Sequence, residues 1–260
     1  MSTVRQAAVA GTFYPGDGQQ LSQLVAELLD AAPPASTDPR ALIAPHAGYI
    51  YSGPIAATAY RQLGARRKTI RRVLLLGPSH RVAYAGLALS SAAGYATPVG
   101  EIAIDTEACR QLLDLPQVSV LDQAHAEEHS LEVHLPFLRA VLDDFQLIPV
   151  VVGDATPDEV AQVIESFWDL EDTLIVVSSD LSHFLDYETA NRVDRETTRA
   201  IEGHAQDISP EQACGCRAIN GLMKVAADHG LGVTTLDLRN SGDTAGDRAR
   251  VVGYGAYALT

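Results

Sequence analysis

Residues 173–184 read Thr173-Leu174-Ile175-Val176-Val177-Ser178-Ser179-Asp180-Leu181-Ser182-His183-Phe184: a short aliphatic run that ends abruptly in polar residues and a histidine. A run this brief and this uniformly apolar predicts a strand covered on both faces, as in the middle of an α/β sheet. The same form recurs twice upstream. Ala41 to Ala44 lead into Pro45-His46, and Val73 to Leu76 lead into Gly77-Pro78-Ser79-His80. One such histidine is more often a hydrogen-bonded structural residue. Three in equivalent positions point to a shared crevice, because loops leaving the carboxyl ends of strands in an open α/β sheet converge there.

Further apolar runs, Gly86 to Ser90, Leu147 to Val152, Gly232 to Leu238 and Val251 to Leu259, predict additional strands. Stretches of helical period fall at 18–31, 53–64, 105–114, 128–142, 157–168, 187–204 and 210–229. Thr156 before Pro157-Asp158-Glu159, and Ser209 before Pro210-Glu211, read as helix starts with a hydroxyl cap and early acid. The Pro-rich stretch 31–39 joins a helix to a strand rather than two domains. The expected fold is therefore one α/β domain over residues 1–260, with a mixed, mostly parallel central sheet flanked by helices.

Composition narrows the function. The chain has 260 residues, 47% hydrophobic and 20% charged, so a disordered or collagen-like chain is excluded. Nineteen Lys and Arg against 33 Asp and Glu give a net charge of −14, which repels phosphate backbones and anionic headgroups, so neither nucleic acid nor a membrane is expected as partner. The basic cluster Arg66-Arg67-Lys68 with Arg71-Arg72 reads as a solvated flank of the following strand. Three cysteines, Cys109, Cys214 and Cys216, make neither an even disulfide framework nor a paired zinc motif. Reduced thiols, the absence of a secretory-type apolar segment near the start and of any run of membrane-spanning length predict a cytoplasmic protein.

A fourth polar strand end, Asn240-Ser241-Gly242-Asp243-Thr244, supplies a carboxylate. Asp243 is either part of an Asx turn beside Gly242 or, with His46 and His80, one side of a two-His-one-carboxylate metal face, which would favour ferrous iron. The segment from His125 to Leu138 is dense in histidine and acid, with Leu131, Leu135 and Leu138 marking an apolar helical face. It lacks the H-E-x-x-H order; its residues are read as structural, as contacts to ligands or substrate, or as direct ligands. There is no phosphate-loop motif and no G-x-S-x-G nucleophile elbow.

Five motifs in fixed order, Gly11-Thr12-Phe13-Tyr14-Pro15, Ala44-Pro45-His46-Ala47-Gly48-Tyr49, Gly77-Pro78-Ser79-His80, Glu128 to Phe137 and Ser178 to His183, give the chain a resemblance to the Memo family over residues 5–258. That family is similar in fold to the catalytic subunit of class III extradiol dioxygenases, non-haem iron enzymes that open catechol rings. The resemblance implies an αβα arrangement, His46 and His80 as metal ligands, and His183 as the catalytic base. It leaves the third ligand to Asp243, or to Thr244 if the register shifts by one, where animal members resemble each other in carrying a cysteine. Glu128, His129, His134, Tyr49 and Asp180 are expected to orient ligands or touch substrate. Iron is the expected metal, with copper or zinc as alternatives. Two functions follow as expectations: an oxidoreductase acting on a small hydroxylated substrate, or a non-catalytic member that binds a peptide or protein. The second would act with the radical-SAM and AMMECR-type proteins that the resemblance implies as partners.

Overall fold

The apolar runs become strands. In the computed structural model, which describes residues 3–260, the chain runs β1 (Val4–Arg5), α1 (Gly18–Ala31), β2 (Ala41–Ala44), α2 (Tyr49–Arg61), β3 (Arg72–Pro78) and β4 (Leu87–Leu89). It continues through β5 (Gly94–Thr97), β6 (Gly100–Ala103), α3 (Thr106–Leu112), β7 (Val118–Val120), α4 (Asp122–Ala126) and α5 (Leu135–Val141). The remainder is β8 (Gln146–Val152), α6 (Pro157–Glu165), β9 (Thr173–Ser178), β10 (His183–Leu185), α7 (Tyr187–Glu202), α8 (Cys216–His229), β11 (Val233–Asn240) and β12 (Val251–Leu259).

Nine strands form one sheet in the order β10-β12-β2-β9-β3-β8-β4-β7, with β11 also paired to β12; a small sheet holds β1, β5 and β6. The four central strands, β2, β9, β3 and β8, are parallel and fully or nearly fully buried, as their unbroken apolar sequences require. Antiparallel pairings flank them through β12 on one side and β4 on the other. Helices cover the sheet: α8 packs on β3 and β9 and against α6, while α2 packs on β2, β11 and β12. The carboxyl ends of β2, β3 and β9 therefore lie side by side, and each is followed by its histidine-bearing loop. No helix among the described residues is long and apolar enough to cross a membrane.

Local chemistry sets most helix ends. Asp17 accepts from Gln20 N at the start of α1, and Thr156 with Glu159 forms a reciprocal capping box at α6. Two expected helices are shorter than their periodicity suggests. The helix expected over 210–229 begins only at Cys216, because the preceding turn is held by tertiary bonds: Gly215 N donates to Ser179 Oγ (2.9 Å) and Cys214 N to Asp180 O (3.3 Å). The helix expected over 128–142 is regular only from Leu135, after a single 3₁₀ turn at Glu132–His134.

Gly253 in β12 shows how closely the layers meet. A Cβ there would overlap the carboxylate of Asp194 on α7, which accepts from Ser182 N (3.0 Å) and so fixes the residue before His183. Gly253→Ala is expected to cost about 1–3 kcal/mol, the usual range for overpacking. Urea unfolding would show it, and a loss below about 0.5 kcal/mol would mean that the contact is not rigid.

Candidate metal centre

His46 leaves β2 with its backbone N–H donated to Asp180 Oδ1 (2.8 Å) and its ring buried. Its Nδ1 lies 2.6 Å from Ser178 Oγ, and that hydroxyl donates its only proton to Ser130 O (2.6 Å). Ser178 must therefore accept from His46, which places the imidazole proton on Nδ1 and turns the Nε2 lone pair away from Ser178, toward Cys214 Sγ at 3.3 Å. His80 is fixed in the same sense. Its backbone N–H and its Nδ1 meet the two oxygens of Glu128 at 2.6 and 2.9 Å, and Ser130 N adds a third bond to that carboxylate (2.9 Å). Burial opposes the charge on Glu128, but the bonds from His80 and Ser130 hold its carboxyl down at about 2. An ionised Glu128 can only accept, so His80 carries a proton on Nδ1, and Nε2 is the nitrogen left to face a metal.

His129 completes the group. Each of His46, His80 and His129 offers a donor atom within 4.8 Å of the other two. The rings of His80 and His129 stack at 4.7 Å, and His46 stands edge-on to both, at 5.1 and 5.5 Å. His129 Nδ1 is buried with no hydrogen-bond partner; it lies 3.5 Å from Glu128 Oε1 without the alignment of a bond. A buried polar nitrogen left unsatisfied is costly. Burial lowers the pKa of His129 to about 4 and that of His46 well below its ordinary value, so both rings are neutral, as metal ligation requires.

The structure does not bring Asp243 to these rings. Its carboxylate accepts from Tyr187 Oη (2.6 Å) and Asn240 N (3.0 Å) inside the 3₁₀ turn Ser241–Asp243, while Asn240 accepts from Gly242 N, so the turn reading of this stretch prevails. Thr244 Oγ1 donates to Ser241 O within the same turn. The imidazole of His129 stands where a carboxylate was expected to complete the set.

The other expected residues separate into two groups. Asp180, pushed up to about 7 by burial, and His183 line a cavity of about 680 Å³ together with His129. Tyr49 and His134 do not face it. Tyr49 Oη donates to Val133 O (2.6 Å) and His134 Nδ1 pairs with Tyr60 Oη (2.8 Å), so both support the segment behind the cluster. His125 is structural too, between Tyr95 Oη (2.6 Å) and Ala88 O (3.0 Å). Sequence reasoning passed over Cys214, whose Sγ lies 3.3 Å from His46 Nε2; the isolated C-x-C carried no signal of that contact.

The family model described as Memo-like protein matches residues 5–258. A MEMO1 family protein of Aquifex aeolicus is 36% identical, covering 96% of this chain and 97% of its own length, and one from Aeropyrum pernix is 34% identical over 98% and 99%. The chain belongs to the Memo family. The crystal structure of the Escherichia coli K12 protein JW3007, described as uncharacterized, matches with a TM-score of 0.52 and 14% identity, covering 82% of this chain and 98% of that one; this likeness concerns the fold alone.

Two expected results follow from the geometry. Glu128→Gln keeps the shape but removes the charge that orients His80, and metal affinity should fall about 10–100-fold in a chelator competition. An unchanged affinity would separate Glu128 from the site.

The second concerns pH. Burial holds His125 and His129 at about 4 and His134 at about 3, whereas unfolded imidazoles titrate near pH 6.5. Between pH 6.5 and 4 the unfolded chain binds protons that the folded chain refuses, so stability falls as pH drops through that window. Asp180 and Asp194, both raised by burial, act in the opposite direction, but two carboxyls stand against five imidazoles, since burial also lowers His46 and His183. Calorimetry of the metal-free protein near pH 5.5 in buffers of different ionisation enthalpy should show net proton uptake on unfolding. Net release would contradict these protonation states.

Proposed function

We propose that the chain is a metal-dependent oxidoreductase whose divalent cation, ferrous iron in the first instance, is held by His46, His80 and His129. The observation that carries this is the fixing of Nδ1 on His46 by Ser178 and on His80 by Glu128, which turns Nε2 of each ring away from those partners, with His129 offering a donor atom within 4.8 Å of both. Three imidazoles with no carboxylate among them match a catalytic rather than a closed structural site. When bound, iron supplies Lewis acidity and a one-electron redox couple.

The chain's own residues supply the rest. One ring nitrogen of His183 is bonded to the backbone of Leu181, and burial lowers the pKa, so the ring is neutral and its second nitrogen can take a proton from a hydroxyl in the cavity. Asp180 anchors the His46 backbone, and the Phe13 ring, 4.8 Å from that of His129, shields one side of the cluster from water.

The test is anaerobic reconstitution with ferrous iron, followed by oxygen uptake with a panel of hydroxylated aromatics. His183→Ala should retain one iron per chain and lose turnover, whereas His46→Ala should lose both. Iron retained by His46→Ala, or full turnover by His183→Ala, would overturn the assignment.

A further inference from the structure

The mouth of the cavity contains an arrangement that the metal centre does not explain. Phe184, the residue after His183, has φ of +60°, a left-handed conformation that costs a bulky residue of order 1 kcal/mol or more. It is the unpaired residue of a β-bulge: His183 pairs with Val252 and Leu185 with Val251, and Phe184 has no partner between them. Bulges of this kind re-aim side chains beside functional sites. Here the ring is turned out of the core and stands 61% exposed at the cavity, which Ile50, 67% exposed, also lines; these are the two most exposed large hydrophobic residues of the described chain.

The guanidinium of Arg250 lies over that ring, 5.0 Å from its centroid. Arg250 lines the same cavity, and among the described residues no carboxylate forms an ion pair with its side chain. The nearest acid in sequence, Asp247, also at the rim, spends its Oδ1 on the backbone N–H groups of Ala249 and Arg250. A planar cation stacked on a strained aromatic platform is pre-oriented, with its N–H edge free to meet an oxyanion. In a chain of net charge −14 such a group opposes the general repulsion of anions at this one opening.

We propose that Arg250 and Phe184 form the specificity element of the cavity, and that it selects a flat, apolar compound bearing a carboxylate. The aromatic part would enter between Phe184, Phe13 and Tyr254, and the carboxylate would remain at the mouth against Arg250. This rests on taking the cavity as the substrate chamber of the metal centre.

The probes are 2-naphthoate and its neutral isostere 2-naphthamide, titrated by fluorescence into chelator-treated protein, so that the result does not depend on metal. Wild type should bind the carboxylate about tenfold more tightly than the amide, as expected for a charge-assisted pair at a partly exposed site. Arg250→Gln should bring the ratio to about one while leaving amide binding unchanged. Phe184→Gly, which accommodates the positive φ, should melt no lower than wild type and yet bind both probes more weakly. Equal binding of the two probes by wild type, no binding of either, or a preference that survives Arg250→Gln would each overturn the proposal. Iron binding is measured separately, so a failure here is distinct from a failure of the metal centre.

Discussion

Glu132→Ala should cost about 3–5 kcal/mol of unfolding free energy, the usual penalty for breaking a buried ion pair from one side. Glu132 is fully buried, and its carboxylate is paired with Arg5 while also accepting from Ala8 N (2.7 Å), Val9 N (3.0 Å) and Tyr14 Oη (2.5 Å). Arg5 in turn donates to His125 O (3.0 Å) and Glu128 O (2.6 Å). The pair thus ties the N-terminal segment to the loop that carries Glu128 and His129. Its loss leaves an unpaired guanidinium and an unsatisfied Val9 amide in the interior. Denaturant unfolding at neutral pH measures the effect, and Glu132→Gln, which keeps acceptors for the amides, should cost less. A loss below about 1 kcal/mol would show that this network is not what holds the loop.

His129→Ala should weaken metal binding by more than the about 10–100-fold expected when an outer partner of a ligand is lost, whereas Asp243→Ala should leave affinity unchanged. The contrast matters because the two residues make opposite claims on the third position. His129 lies within 4.8 Å of the other donors, and the Asp243 carboxylate is committed to Tyr187 and Asn240. Chelator competition on both variants decides between them. Wild-type affinity in His129→Ala, or loss of binding in Asp243→Ala, would reverse the assignment.

The contrast also shows what the sequence revealed. His46, His80 and His183 were legible because each follows a buried parallel strand, and the ends of such strands lie together by construction. His129 was legible only as a neighbour. The apolar spacing of Leu131, Leu135 and Leu138 predicts a helix from residue 128, yet local periodicity cannot register the bonds that override it. Glu128 turns its carboxylate to His80 and Ser130, and Ser130 Oγ reaches Pro78 O (2.9 Å), so residues 128–131 are drawn onto the end of β3 instead of coiling. Gly77 permits this approach, since a Cβ there would press against Ser130 and Leu131 at 2.8 Å. Short strands such as β5, β7 and β10 had no period long enough to read, and the bulge at Phe184 carries none of the glycine that usually announces a left-handed residue. Asp243 misled for a related reason: an acid at a strand end looks like a ligand until its turn partners are known.

X-ray absorption on the anaerobic, iron-loaded protein measures the ligand set directly. Three imidazoles on one iron, falling to two in His129→Ala, is the predicted result. An iron carrying a sulfur ligand, or fewer than three imidazoles in the wild type, would contradict the convergence of His46, His80 and His129 on a single ion.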